Sequence, residues 1–136
     1  MTDDIAQNQV KSLSTRQKVI AQIKIGLSER FEVIDNTGTD KKIIAGQFPD
    51  VLIFKKVANI TEQKEPPLFI MKVENGGELI DSLPQWQSLG IVPSAFYIVV
   101  PKIKLDDAKK LAAATGVRAR FAWYEEVNNV MQVHYE

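Results

Sequence analysis

Cysteine is absent from the 136 residues, and histidine occurs once. The first absence excludes a disulfide framework and a thiolate zinc site. The second excludes a histidine-rich metal centre, and the position of His134 near the C-terminus argues against a Ser/His or Cys/His catalytic pair. No apolar run approaches the ~20 residues needed to cross a bilayer. Met1 to Gln9 are polar and acidic, without the positive stretch and apolar core of a signal peptide. The expectation is a cytoplasmic protein with no membrane partner. An excess of charge is also missing, since 17 Lys plus Arg balance 17 Asp plus Glu. Proteins that hold nucleic acid unaided usually carry a basic excess, because phosphate contacts supply most of the affinity. The balance therefore argues against tight independent DNA binding, although it leaves room for a local basic face.

What remains is the composition of an ordinary globular chain, 45% hydrophobic and 25% charged, with one domain's worth of length. Residues 1–13 are expected to be a flexible tail and residues 14–136 a single α/β domain. From Ser14 the residues Val19, Ile20, Ile23 and Leu27 recur at helical spacing, with Ser14 or Thr15 as the N-cap. Phe31 to Ile34 reads as a short strand closed by the turn formers Asn36 to Asp40. Phe48 to Phe54 and Leu68 to Glu74 are apolar, β-branched and aromatic runs, as expected of central strands buried on both faces. The polar stretch Lys55 to Pro67 connects them, and Asn75-Gly76-Gly77 ends the second.

A helical stretch from Glu78 to Leu89 contains Pro84, which predicts either a kink or a helix that starts near Ser82. Ala95 to Val100 predicts a strand and Leu105 to Thr115 a helix, with Asp106 and Asp107 near its start and Gly116 as its cap. Ala119 to Trp123 and Val130 to Tyr135 predict strands around Asn128-Asn129, with a short helix through Glu125 and Glu126 as the alternative. Hairpin-like connections first and helical crossovers later imply a mixed central β-sheet flanked by helices.

Three charges interrupt the two central strands: Asp50, Lys72 and Glu74. Desolvating a charge is costly unless it is paired or coordinated, so these positions need an explanation. Lys72 and Glu74 share a face of their strand, and Asp50 joins them if the two strands are neighbours. Two carboxylates with an ammonium suit Mg²⁺-dependent phosphodiester hydrolysis. Carboxylate oxygens hold the hard cation, for which Mn²⁺ can substitute, and the lysine orients the nucleophile or stabilises the transition state.

Phe48-Pro49-Asp50-Val51-Leu52-Ile53 resembles the "PD" strand of the PD-(D/E)XK, restriction-endonuclease-like superfamily. A second apolar strand with two charges one residue apart follows it, and the run from Gln85-Trp86-Gln87 to Val99-Val100-Pro101 resembles the rest of that core. The resemblance covers about two-thirds of the chain, Ser14 to Pro101. It implies a restriction-endonuclease-like fold, a catalytic set of Asp50, Lys72 and Glu74, and metal ligation by Asp50 and Glu74. One departure matters: the family places an acid two residues before the lysine, whereas Lys72-Val73-Glu74 has the pair in permuted order. In one reading Glu74 still reaches the metal and Lys72 serves as the cation. In another Lys72 pairs with Asp50 and fills the metal site with its own charge. In a third the three residues are solvent-facing strand ends with no joint role.

Weaker candidates accompany these. Glu29 after the first helix is a further acid or simply a surface residue. Gln85 and Gln87 reach towards a phosphate or lie on a solvated helix face, with Trp86 between them as a core or interface anchor. Lys41-Lys42, Lys55-Lys56, Lys102-Lys104 and Lys109-Lys110 form either a phosphate rim or ordinary surface. Three whole-protein readings follow. The first is a metal-dependent nuclease acting on DNA. The second is a catalytically inactive nuclease-fold protein that assembles through protein contacts, as a homodimer or with another partner, with Trp123, Tyr124 and Tyr135 as candidate contact residues. The third is an unrelated α/β domain.

Overall fold

A computed structural model of the chain describes residues 14–38, 41–56 and 66–136. The expected tail and the middle of the connection before Pro67 lie outside the described residues. Among the described residues nine longer elements follow one another in chain order: α1 (Thr15–Leu27), β1 (Phe31–Asp35), β2 (Val51–Lys55), β3 (Phe69–Val73), α2 (Leu83–Leu89), β4 (Ala95–Pro101), α3 (Leu105–Thr115) and the hairpin β5 (Arg120–Val127) and β6 (Val130–Tyr135). Single 3₁₀ turns, Leu79–Ser82 and Lys102–Lys104, lead into α2 and α3.

The strands form one mixed sheet whose spatial order repeats the chain order from β1 to β6. β2 runs antiparallel to both β1 and β3, β4 and β5 are parallel to β3, and β6 returns antiparallel. The parallel steps are those bridged by α2 and α3, because a parallel neighbour needs a crossover. The expected α/β mixed sheet is therefore present. β2 starts at Val51 and β3 at Phe69, later than the expected starts at Phe48 and Leu68. Glu125 and Glu126 lie in strand β5, so the alternative helix through them is not formed.

Alternation of side chains divides the interior into two cores. Val33, Val51, Ile53, Met71, Val73, Val99 and Ala122 pack under α1, which presents Val19, Ile20 and Ile23. Leu52, Ile70, Phe96, Ile98 and Val100 face Trp86 and Leu89 of α2 and Ala108 of α3. Burial on both faces explains why β2, β3 and β4 read as continuous apolar runs.

Local chemistry sets the ends of the helices. Ser14 accepts the Gln17 N–H at 3.1 Å while Gln17 Oε1 accepts the Ser14 N–H at 3.2 Å, a reciprocal box that fixes the start of α1. Pro84 sits in the first turn of α2, where its missing N–H costs nothing. Gly116 ends α3 at φ +72°, a conformation that a Cβ would oppose.

Candidate functional site

β2 and β3 are neighbours, with Val51 opposite Met71. Asp50 precedes β2 by one residue and Glu74 follows β3 by one, so both lie with Lys72 at the same end of the sheet. Asp50 and Lys72 are 5% and 8% exposed, which removes the reading of them as solvent-facing strand ends.

The Asp50 carboxylate is held from three sides. Oδ2 accepts the Val73 N–H at 2.7 Å and lies 3.5 Å from Lys72 Nζ. Oδ1 lies 3.8 Å from Arg16 Nη1 in the first turn of α1. The backbone of Asp50 is fixed as well, since its N–H donates to Met71 and its carbonyl accepts from Asn36. A buried carboxylate with a short backbone N–H bond and two cations nearby is compensated for the loss of water.

Glu74 is equally committed. Oε2 accepts from Ser82 Oγ at 2.7 Å and Oε1 from the Trp86 indole N–H at 3.1 Å. Its N–H donates to the Val99 carbonyl, and its own carbonyl accepts the Tyr124 hydroxyl at 2.7 Å. Glu74 thus ties the end of β3 to β4, to β5 and to the start of α2. Burial, reinforced by the Glu74 charge and opposed by Arg16, pushes the Tyr124 hydroxyl up to about 12. That hydroxyl stays protonated and keeps donating across the whole neutral range.

The remaining candidates are scattered. Glu29 is exposed just beyond the C-terminal end of α1, while Arg16 at the other end touches Asp50. Thirteen residues of helix separate them by about 20 Å, so Glu29 supplies no acid to this cluster. Gln85 is half-buried and Gln87 exposed, whereas Trp86 between them is fully buried. The basic residues are largely spoken for within the molecule. Lys56 reaches the Ser28 and Glu29 carbonyls, Lys104 the Gly77 carbonyl, and Lys109 the Glu136 carboxylate. Lys102 lies 3.7 Å from Glu125 and 5.0 Å from the Trp123 ring centre. Lys41 and Lys42 stand over the rings of Phe48 and Phe54. His134 stacks on Trp123, with ring centres 4.1 Å apart. Of the candidate contact aromatics, Tyr124 is buried in the core and Tyr135 is exposed at the end of β6.

Three members of the cluster escaped sequence reasoning: Arg16, Ser82 and Tyr124. The capping box places Arg16 in a first turn, but only the packing of α1 on the sheet brings that turn to Asp50. An open cleft of about 700 Å³ lies beside Tyr124, between Thr15, Pro101, Lys102 and Met131. Asp106, Glu125 and Glu126 also line it, so acids outnumber the single lysine. No family model, curated protein or solved structure matches the chain, and the reading of the site rests on its own geometry.

As arranged, these residues do not fit a divalent cation. Each carboxylate oxygen of Asp50 and Glu74 already faces a protein donor or cation. Among the described residues no group of three or more acidic, histidine or cysteine side chains gathers around a common point. A hard cation is held by several oxygen ligands at once, and here the oxygens of both carboxylates are turned to protein donors.

Proposed function

We propose that this chain has a restriction-endonuclease-like core whose metal site is closed by its own side chains. It acts as a binding or assembly subunit and not as a Mg²⁺-dependent hydrolase of DNA. The observation that carries this reading is the occupation of the acids. Lys72 Nζ stands 3.5 Å from Asp50, and Glu74 is consumed by Ser82 and Trp86. The permuted Lys-x-Glu order has a direct consequence here. It puts the cation at the buried strand position beside Asp50 and moves the acid one pleat outward, to where the indole and a hydroxyl meet it.

Two further observations support the reading. The cleft at this end of the sheet is lined by Asp106, Glu125 and Glu126, which would repel a phosphate backbone. Recruiting Glu74 to a metal would also strand the N–H of Trp86, a side chain with no solvent exposure, at a cost of about 1–3 kcal/mol.

The test is a Mn²⁺ titration of the wild type and of Asp50→Asn, followed by paramagnetic broadening of amide signals. The expected result is that signals around Asp50, Lys72 and Glu74 stay sharp at millimolar-order Mn²⁺ in both proteins. Broadening centred on Asp50 and Glu74 and abolished by Asp50→Asn would overturn the reading in favour of metal-dependent nuclease chemistry.

A further inference from the structure

The two edges of the sheet differ in kind. β1 has five residues, and Glu32 and Asp35 among them are exposed charges that oppose the addition of another strand. β6 has six residues, Val130-Met131-Gln132-Val133-His134-Tyr135, with no Lys, Arg, Asp, Glu or Pro. Among the described residues its single strand neighbour is β5. Edge strands are normally blunted by the residue types that β6 lacks.

The hairpin determines which backbone groups of β6 are already used. Val127 faces Val130 across Asn128 and Asn129, whose φ angles are +52° and +64°. A two-residue turn of this kind makes its flanking pair hydrogen-bonded. Alternation then commits Gln132 and His134 to β5. The Glu136 N–H, which donates to the Phe121 carbonyl at 3.0 Å, keeps the same phase. Met131, Val133 and Tyr135 therefore turn their N–H and C=O groups towards the open edge.

We propose that β6 is a self-association seam, at which a second copy of this chain adds its own β6 antiparallel with Val133 opposite Val133. A two-fold axis through an antiparallel strand pair keeps the same faces together, so the central register falls on a residue and not between residues. Centring on Val133 sets Met131 opposite Tyr135 and brings all three outward-facing sets of backbone groups into register, for about six new hydrogen bonds. Centring on Gln132 would leave Tyr135 opposite the turn residue Asn129. In the Val133 register the other facing pair is Gln132 with His134, so a neutral strand meets a neutral strand with no like charges opposed. The two sheets become one, with α1 of both copies on the same side. The proposal names the partner for the assembly reading and takes its biological meaning from that reading, but its geometry does not involve Asp50, Lys72 or Glu74.

Sedimentation equilibrium of the full chain from micromolar to millimolar concentration tests the seam. The wild type is expected at twice the chain mass of 15.3 kDa. Val133→Pro removes an outward N–H at an edge position where proline is tolerated, and should be monomeric with an unchanged circular dichroism spectrum. Because the chain has no cysteine, two single-cysteine variants give a second readout that does not depend on that fold being kept. Val133→Cys should cross-link under mild oxidation, since opposed residues of a hydrogen-bonded pair have Cα atoms about 5.5 Å apart. Gln132→Cys should not, because its mate is His134. A wild type that stays monomeric throughout, or equal cross-linking of the two cysteine variants, would overturn the proposal. A monomer that also binds no Mn²⁺ would sink the seam and leave the closed metal site standing. A dimer that binds Mn²⁺ would do the reverse.

Discussion

At the end where β3 and β4 begin, four rings meet edge to face: Phe31 with Phe69 at 5.6 Å, Phe69 with Tyr97 at 5.9 Å, and Tyr97 with Tyr135 at 6.0 Å. At the end where the same strands finish stand Asp50, Lys72, Arg16 and Glu74. The aromatic end is held by contact area, and a small apolar cavity of about 130 Å³ between Leu27, Met71 and the rings leaves it some tolerance. The charged end is held by mutual satisfaction, in which each group is affordable only while its partners remain. Loss of one side chain should therefore be graded at the first end and disproportionate at the second.

The largest effect is expected for Trp86→Ala. It opens a cavity at a fully buried site, about 3–5 kcal/mol, and deprives Glu74 Oε1 of its donor. The sum approaches the whole stability of a domain this size, so urea titration should give no cooperative transition at physiological temperature. Trp86→Phe, which keeps most of the volume, should fold and lose only the hydrogen-bond part.

Next is Asp50→Ala, which leaves the Lys72 ammonium buried without its counter-charge and should cost about 3–5 kcal/mol. Replacing both partners, as Asp50→Ala with Lys72→Met, should cost less than the two single variants added together, by about 1–2 kcal/mol in urea midpoints. Strict additivity would mean that the pair is not coupled and would remove the contrast between the two ends.

A smaller effect is tied to pH. The Tyr124 hydroxyl is pushed up to about 12, chiefly by burial, with the Glu74 charge adding. A raised value favours the protonated fold. The stability it confers is fully present below the ordinary value of about 10 and is lost as pH rises from there through about 12. For buried Tyr124 the loss is of order 2 kcal/mol, and Tyr124→Phe should flatten that part of the decline in urea titrations across this window.

The smallest change is Phe31→Leu at the aromatic end. It removes one edge-to-face contact while keeping most of the apolar volume, for about 1 kcal/mol, read as a shift of a few degrees in melting temperature.

Much of this contrast was legible in the sequence, in particular places. The apolar runs around Val51 to Phe54 and Phe69 to Val73 announced central strands, and the three charges at their ends announced a cluster. Adjacency of those strands could be posed only as a condition, because strand pairing depends on contacts far apart in the chain. The first turn of α1 carried no sign that Arg16 would reach Asp50 across 34 residues. Trp86 was readable as an anchor by its size, but its second task, donating to Glu74, depends on how α2 settles on the sheet. Asp50 lies one residue before β2, yet its carbonyl still accepts the Asn36 N–H in the β1 register, so the late start of β2 takes nothing from its anchoring.

Agreement between chain order and strand order from β1 to β6 has a kinetic consequence. Each strand can add to the one made just before it, so the sheet can grow across its width without waiting for distant partners. The exception is α1, the first of the described elements, which packs against β6, the last of them, as well as against β1. On a ribosome the helix would wait until β6 had emerged before its apolar stripe was fully covered. Its docking then joins the first and last elements, so any truncation that removes β6 should also uncover the apolar face of α1.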